Sequence, residues 1–216
     1  MKLKIDIPTS LNEITLHQYK HYIKIQDKVK EERFINAKMI EIFCKTKLED
    51  VMRLRLKDSE EIINLLSELF KEKPNLVQRF KLNGVEYGFH PQLDELSLGE
   101  YIDLDTYIGD WDNIDKAMNV LYRPIVGKFQ DKYNIEEYTA KENRDILNMP
   151  MDAVMSSIFF LWNLGIDLSQ TMMNSLEEGQ TEALTEYLIS QENGVGINLF
   201  MDSLKGILQG LKVSLN

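Results

Sequence analysis

Apolar side chains first recur at every second position and then at helical spacing. Residues 2–7, KLKIDI, alternate polar and apolar and predict a short strand that Pro8 ends. From Leu16 the period lengthens: Leu16, Tyr19 and Ile23 share one helix face, and Lys20 and Lys24 another. Phe34, Ile35, Met39, Ile40 and Phe43 predict a second helix over 32–44, and 48–56 reads as a short element. Ile62, Ile63, Leu65, Leu66, Leu69 and Phe70 form the stripe of the next helix, which Asp58 or Ser59 is expected to cap. Glu60 and Glu61 suit its first turn, and Lys71 and Lys73 close it before Pro74. QRFKLNGVEYGFHP then predicts a hairpin, because Asn83-Gly84 supplies the two positive-φ residues of a type I′ turn between Phe-, Val- and Tyr-containing runs. A helix over 111–122 turns Ile114, Met118, Leu121 and Tyr122 toward a core, and Arg123-Pro124 stops it. Residues 125–138 read as an irregular loop or hinge.

Thr139 is expected to begin a short polar helix, with Glu142 completing its capping box. Pro150 opens the longest helical stretch, where Val154, Ile158, Leu161, Trp162 and Leu168 face a core and Phe159 and Phe160 widen the apolar surface. Helices over about 169–176 and 177–190 follow. Beyond Gly194 and Gly196, a short helix carries Leu199, Phe200, Leu204, Ile207, Leu208 and Leu211 as one stripe. Gly206 and Gly210 weaken its isolated helicity, so it needs a partner, either its own domain or a groove of another subunit.

One pattern occurs twice. PTSLNEITLHQYKHYIKI, from Pro8, and PQLDELSLGEYIDLDTYIG, from Pro91, align Leu11 with Leu93, Glu13 with Glu95, Ile14 with Leu96, Thr15 with Ser97, Leu16 with Leu98 and Tyr19 with Tyr101. Thr15 with Gln18, and Ser97 with Glu100, spell a capping box; Ile14 with Tyr19, and Leu96 with Tyr101, supply the pair for a hydrophobic staple. The whole reads as an α+β, mainly α-helical fold with a small β-hairpin and a repeated strand–capped-helix unit. An N-terminal α+β region over 1–124, with its hairpin near 78–89, and a helical region over 125–216 are expected to pack as one globular unit.

Composition narrows the function. A chain of 216 residues with 44% apolar content can bury a real core. One cysteine, Cys44, rules out an intrachain disulfide and suits a reducing cytoplasm. The N-terminus lacks the apolar core of a signal peptide, and the longest apolar run, 158–166, is interrupted by Asn163 and Gly165, so neither secretion nor a membrane partner is expected. A net charge of −10 argues against nucleic acid. Residues 1–90 hold 17 Lys and Arg against 14 Asp and Glu, whereas 91–216 hold 8 against 21. Such polarity fits an ordinary solvated surface, or an acidic face that meets a basic partner or the basic half of a second copy.

No motif specifies a reaction, and no cofactor is expected. Asp94, Glu95, Glu100, Asp103, Asp105, Asp110, Asp112 and Asp115 concentrate acid, but neither Asp103 nor Asp110 starts a calcium loop with its required glycine and terminal Glu. A metal-dependent enzyme built on them is the least favoured reading. His17 and His21 share a helix face without the HExxH form or a third ligand, and Lys20 and Lys24 flank them. Cys44 reads as a small buried apolar residue. The partner-binding candidates are the C-terminal stripe of Leu199, Phe200, Leu204, Ile207, Leu208 and Leu211, and the acidic residues Asp103, Asp105, Asp110 and Asp112.

IPTSLNEITLHQYKHYIKI, FKLNGVEYGFHPQLDELSLGEYIDLDTYI, and AMNVLYRPIVGKF followed by IFFLWNLG together resemble tailed-bacteriophage proteins encoded among virion morphogenesis genes. Within that group, a mainly helical acidic chain of this size is similar to tail assembly chaperones, which hold apolar segments of a tape-measure protein during tail building. The resemblance implies a non-enzymatic assembly role in the host cytoplasm, with other phage structural or tail proteins or a homo-oligomer as partners. The alternative it allows is a minor structural virion component, a connector or cargo protein.

Overall fold

A computed structural model describes residues 4–140, 144–177 and 194–210. It is an α+β fold, 58% helical, with eight α-helices and a four-stranded antiparallel sheet among the described residues. The chain opens with a 3-10 turn, Leu11–Glu13, then α1 (Leu16–Lys28), α2 (Glu32–Phe43), the single turn α3 (Leu48–Val51) and α4 (Leu56–Leu69). Strands β1 (Arg79–Leu82) and β2 (Val85–Phe89) follow, then a second 3-10 turn, Leu93–Glu95, α5 (Leu98–Tyr107) and α6 (Ile114–Leu121). Strands β3 (Tyr122–Phe129) and β4 (Lys132–Ile135), a third 3-10 turn, Arg144–Asn148, and helices α7 (Met151–Glu177) and α8 (Gly194–Gly210) complete it.

The sheet order is β1-β2-β3-β4, with α5 and α6 inserted between the two central strands. Asn83 at φ 50° and Gly84 at φ 81° form the expected β1–β2 turn. Tyr87 pairs with Pro124 and Phe89 with Tyr122, so the sheet crosses the division drawn at 124. One continuous core includes Leu16, Tyr19, Phe43, Leu66, Met118, Leu121, Tyr122 and Ile158, and so spans both parts of the chain. The Tyr122 hydroxyl lies 2.8 Å from the Val77 carbonyl and 3.2 Å from the Ala153 carbonyl, fixing β3 between the β1 approach and α7.

Several sequence expectations are corrected. Residues 4–7 belong to no strand, because their alternating pattern finds no partner strand; residues 1–3 lie outside the described set. Helix α4 starts at Leu56 with Arg55 as N-cap and no side-chain cap, while Asp58 sits in the first turn and ion-pairs with Arg55 at 2.8 Å. Helix α6 starts at Ile114, since Asp110 accepts from Asp112 N and Asn113 Nδ2 and folds 111–113 into a turn.

Residues 125–138 are mostly a hairpin. Pro124 lacks an N–H, but its carbonyl accepts from Glu136 N at 2.8 Å, and a register shift between Ile125 and Gly127 marks a bulge beside it. Thr139 begins no helix, Glu142 lies outside the described residues, and Arg144–Asn148 is a 3-10 turn. Helix α7 absorbs the helix expected over 169–176 and runs to Glu177, and 178–190 lies outside the described residues. Its stretch Met151–Leu168 is long and apolar enough to cross a membrane by composition, and 56% of that window is buried inside the fold.

Candidate interaction surface

The repeated unit holds from its 3-10 turn onward, while the strand expected ahead of it precedes the second copy alone among the described residues, as β2. Each copy is a 3-10 turn, a capping residue and a helix, and in both the cap side chain accepts from the N3 amide while the N3 side chain accepts from the cap amide. The first copy faces inward. Leu16 N donates to the Met149 carbonyl and Met151 N to the Ile14 carbonyl, stitching the start of α1 to the start of α7. Tyr19 lies 5.2 Å from the Phe70 ring and 4.8 Å from Trp111, and Leu16 and Tyr19 are buried.

The second copy uses the same pattern outward. Its Leu98 is 75% exposed, Tyr101 49% and Ile102 51%. These three share one face of α5 with Asp105, and Leu104 and Ile108 bury the neighbouring face. Asp94 and Glu95, both exposed, precede the stripe. The result is an exposed apolar patch on α5. Sequence reasoning missed it, although apolar residues at 98, 101 and 102 in addition to 104 and 108 cover more than one helix face.

Behind α5 lies a buried charged cluster. Glu100 Oε1 accepts from Arg123 Nη2 at 2.6 Å, and Glu100 Oε2 accepts from Ser97 N and Oγ at 2.8 and 2.7 Å. Burial works against the Glu100 carboxylate, but the Ser97 bonds and Arg123 outweigh it and hold the carboxyl below its ordinary range. His90 Nε2 stands 3.7 Å from Glu100; burial, then Arg123, push the imidazole below its usual value and favour the neutral ring. The Arg123 guanidinium lies over the Tyr138 ring, and its Nε is buried with no hydrogen-bond partner among the described residues. A cleft of about 450 Å³ opens beside this cluster, with Glu95, Glu136 and Glu137 on its walls. Glu100 already engages Arg123 and Ser97, so the cluster locks α5 onto β3.

The acidic candidates are dispersed. Asp103 accepts from the Tyr138 hydroxyl, Asp110 caps its local turn, Asp112 pairs with Lys24 at 2.8 Å, and Asp115 pairs with Lys20. Of the four partner candidates, Asp105 shares the helix face of the α5 stripe, and it is half-buried. Among the described residues, no three His, Cys, Asp or Glu side chains are grouped to hold a metal ion. His17 and His21 line a shallow depression with Lys38, Glu41 and Lys45. Cys44 is buried, and burial pushes its thiol up to about 11.

The C-terminal stripe docks on its own chain. Leu204, Ile207 and Leu208 are buried, and Phe200 packs on the core. A Cβ on Gly165 would come within 2.1 Å of Met201 Sδ, and one on Gly109 within 2.8 Å of Ser203 Cβ, so these glycines let α8 approach closely. These side chains are therefore occupied within the fold and present no free face. The Leu199 side chain and Leu211 lie outside what the structure describes.

A second surface is a groove of about 940 Å³ between the 89–94 segment, β4 and α7. Leu76, Phe89, Leu93, Phe160, Leu164 and Leu168 line its apolar part, and Gln78, Gln92, Asp94, Asp131 and Lys132 its polar part. Comparison with protein-family models, curated protein sequences and solved structures returns no match for this chain.

Proposed function

We propose that this chain is a non-enzymatic interaction protein of tailed-bacteriophage tail or virion assembly, acting as a chaperone toward another phage protein in the host cytoplasm. The likeness of its three quoted segments to phage morphogenesis proteins supports the setting. The observation that carries the mode of action is the groove between α7 and the sheet. Its apolar lining accepts an apolar helical segment of a tail protein, and its polar lining gives the mixed edge that protein interfaces use. Leu164 and Leu168 lie four residues apart on α7, the spacing with which one helix receives another.

Quantitative mass spectrometry of purified mature particles and of the infected-cell lysate tests this reading. Abundance in the lysate with absence from particles is the expected result. A fixed copy number in particles would make the chain a connector or cargo component and overturn the chaperone role.

A further inference from the structure

We infer that the cavity between α1, α2 and the end of α4 binds a small uncharged aromatic molecule that carries a carbonyl oxygen. The cavity shares no lining residue with the groove beside α7, so the inference is independent of the assembly role. Its volume is about 320 Å³, at the lower end of the range in which proteins hold small ligands. Tyr19 and Tyr22 of α1, Ile35 and Met39 of α2, and Phe70 just beyond α4 line its apolar part. Aromatic rings already pack on one another here: Tyr19 lies 5.2 Å from Phe70, and Tyr22 lies 5.2 Å from Phe43. A further ring entering the cavity extends that packing.

The observation that calls for a ligand is a pair of unspent hydroxyl protons. Tyr19 is 3% exposed and lines the cavity, yet its hydroxyl has no hydrogen-bond partner among the described residues. Gln26 Nε2 donates to the Tyr22 hydroxyl at 2.9 Å, and the Tyr22 proton likewise has no acceptor among the described residues. Burial pushes both phenols up, so each keeps its proton and is a donor. A carbonyl oxygen has two lone pairs and can accept from both. Leaving buried donors unmade is costly, which favours a ligand with an accepting oxygen over a purely apolar one. Charge selects neither sign: Lys30 and Glu32 stand together at the edge, and Lys71 already pairs with Glu68 at 2.6 Å. The ligand that fits is therefore uncharged.

Titration of the full chain with acetophenone to about 10 mM, followed in proton–nitrogen correlation spectra, tests this. The expected result is saturable shifts at the side-chain amides of Gln26 and Asn36, which line the cavity, with a Kd of about 1 mM. Tyr19→Phe is expected to weaken binding about fivefold and to leave the urea midpoint unchanged or slightly higher, because the hydroxyl it removes has no partner in the fold. Ser67→Phe fills the cavity from α4 and is expected to abolish the shifts. Unchanged circular dichroism verifies that each variant folds. Absence of saturable shifts at Gln26 and Asn36 would mean that water alone meets the two hydroxyls, and it overturns the inference. Equal affinity of wild type and Tyr19→Phe overturns it as well, because the oxygen would then not be read, and so do shifts that persist in folded Ser67→Phe. None of these outcomes touches the chaperone reading, which the particle and lysate measurement decides.

Discussion

Arg123 and Glu100 are each under a tenth exposed and hold one another at 2.6 Å. Removing one partner leaves the other charged and buried, so Arg123→Met is expected to cost about 3–5 kcal/mol in chemical denaturation. Adding Glu100→Gln to it recovers part of that loss. The pH dependence has a definite sign. His90 titrates below its ordinary 6.5 in the fold, so the unfolded chain binds its proton more readily and stability falls as pH drops through 6.5. Glu100 titrates below its ordinary 4.5, so its contribution is complete above that value and is lost as pH falls through its folded pKa. Thermal melts of wild type and His90→Gln between pH 8 and 5 isolate the first effect: the difference between them is expected to shrink as pH falls. A difference that grows would contradict a neutral buried imidazole. The sequence assigned Glu100 correctly to the capping box. Its other oxygen's partner was not legible, because Arg123 reaches it only once β3 is a strand.

At the level of elements, signals carried by neighbouring residues were legible. The two capped helix starts, the Asn-Gly hairpin and the helix after Pro150 each depend on local chemistry, and each is present. Elements whose fate depends on a distant partner were not. KLKIDI alternates like a strand, yet its described residues join no ladder; YRPIVGKF contains a proline and a glycine, yet β2 recruits it into the sheet. Its turn also lacks a standard signal, using Gln130 at φ 54° where glycine or asparagine is usual.

The recruited hairpin depends on a close approach at Gly88, where an added Cβ would lie 2.4 Å from the Tyr133 ring. That ring is held by its hydroxyl donating to the Phe89 carbonyl at 2.7 Å. Gly88→Ala is therefore expected to cost about 1–3 kcal/mol in urea unfolding. Gly127→Ala, in open space on β3, is the control and is expected to change stability by less than about 1 kcal/mol. Equal effects would mean that Tyr133 does not pack over Gly88.

Across the whole molecule, the division of charge between a basic first part and an acidic second part is partly satisfied within the fold. Lys20 and Lys24 of α1 meet Asp115 and Asp112 at the entry to α6. The C-terminal stripe, legible as an apolar face in search of a partner, finds it on its own chain. For the α5 helix the sequence showed apolar residues on more than one face, but not which of them the core leaves outward, because its residues repeat a pattern that the first copy buries. Periodicity fixes which residues share a face, and only the assembled core decides which faces it covers.

That distinction is the central claim, and paired urea unfolding of Leu16→Ala and Leu98→Ala at low protein concentration tests it most directly. Leu16 is fully buried and Leu98 is 75% exposed at matching positions of the two copies. Leu16→Ala is expected to lose about 2–5 kcal/mol. Leu98→Ala is expected to stay within about 0.5 kcal/mol of wild type. A loss at Leu98 as large as the loss at Leu16 would place both copies in the core and leave no outward face for a partner.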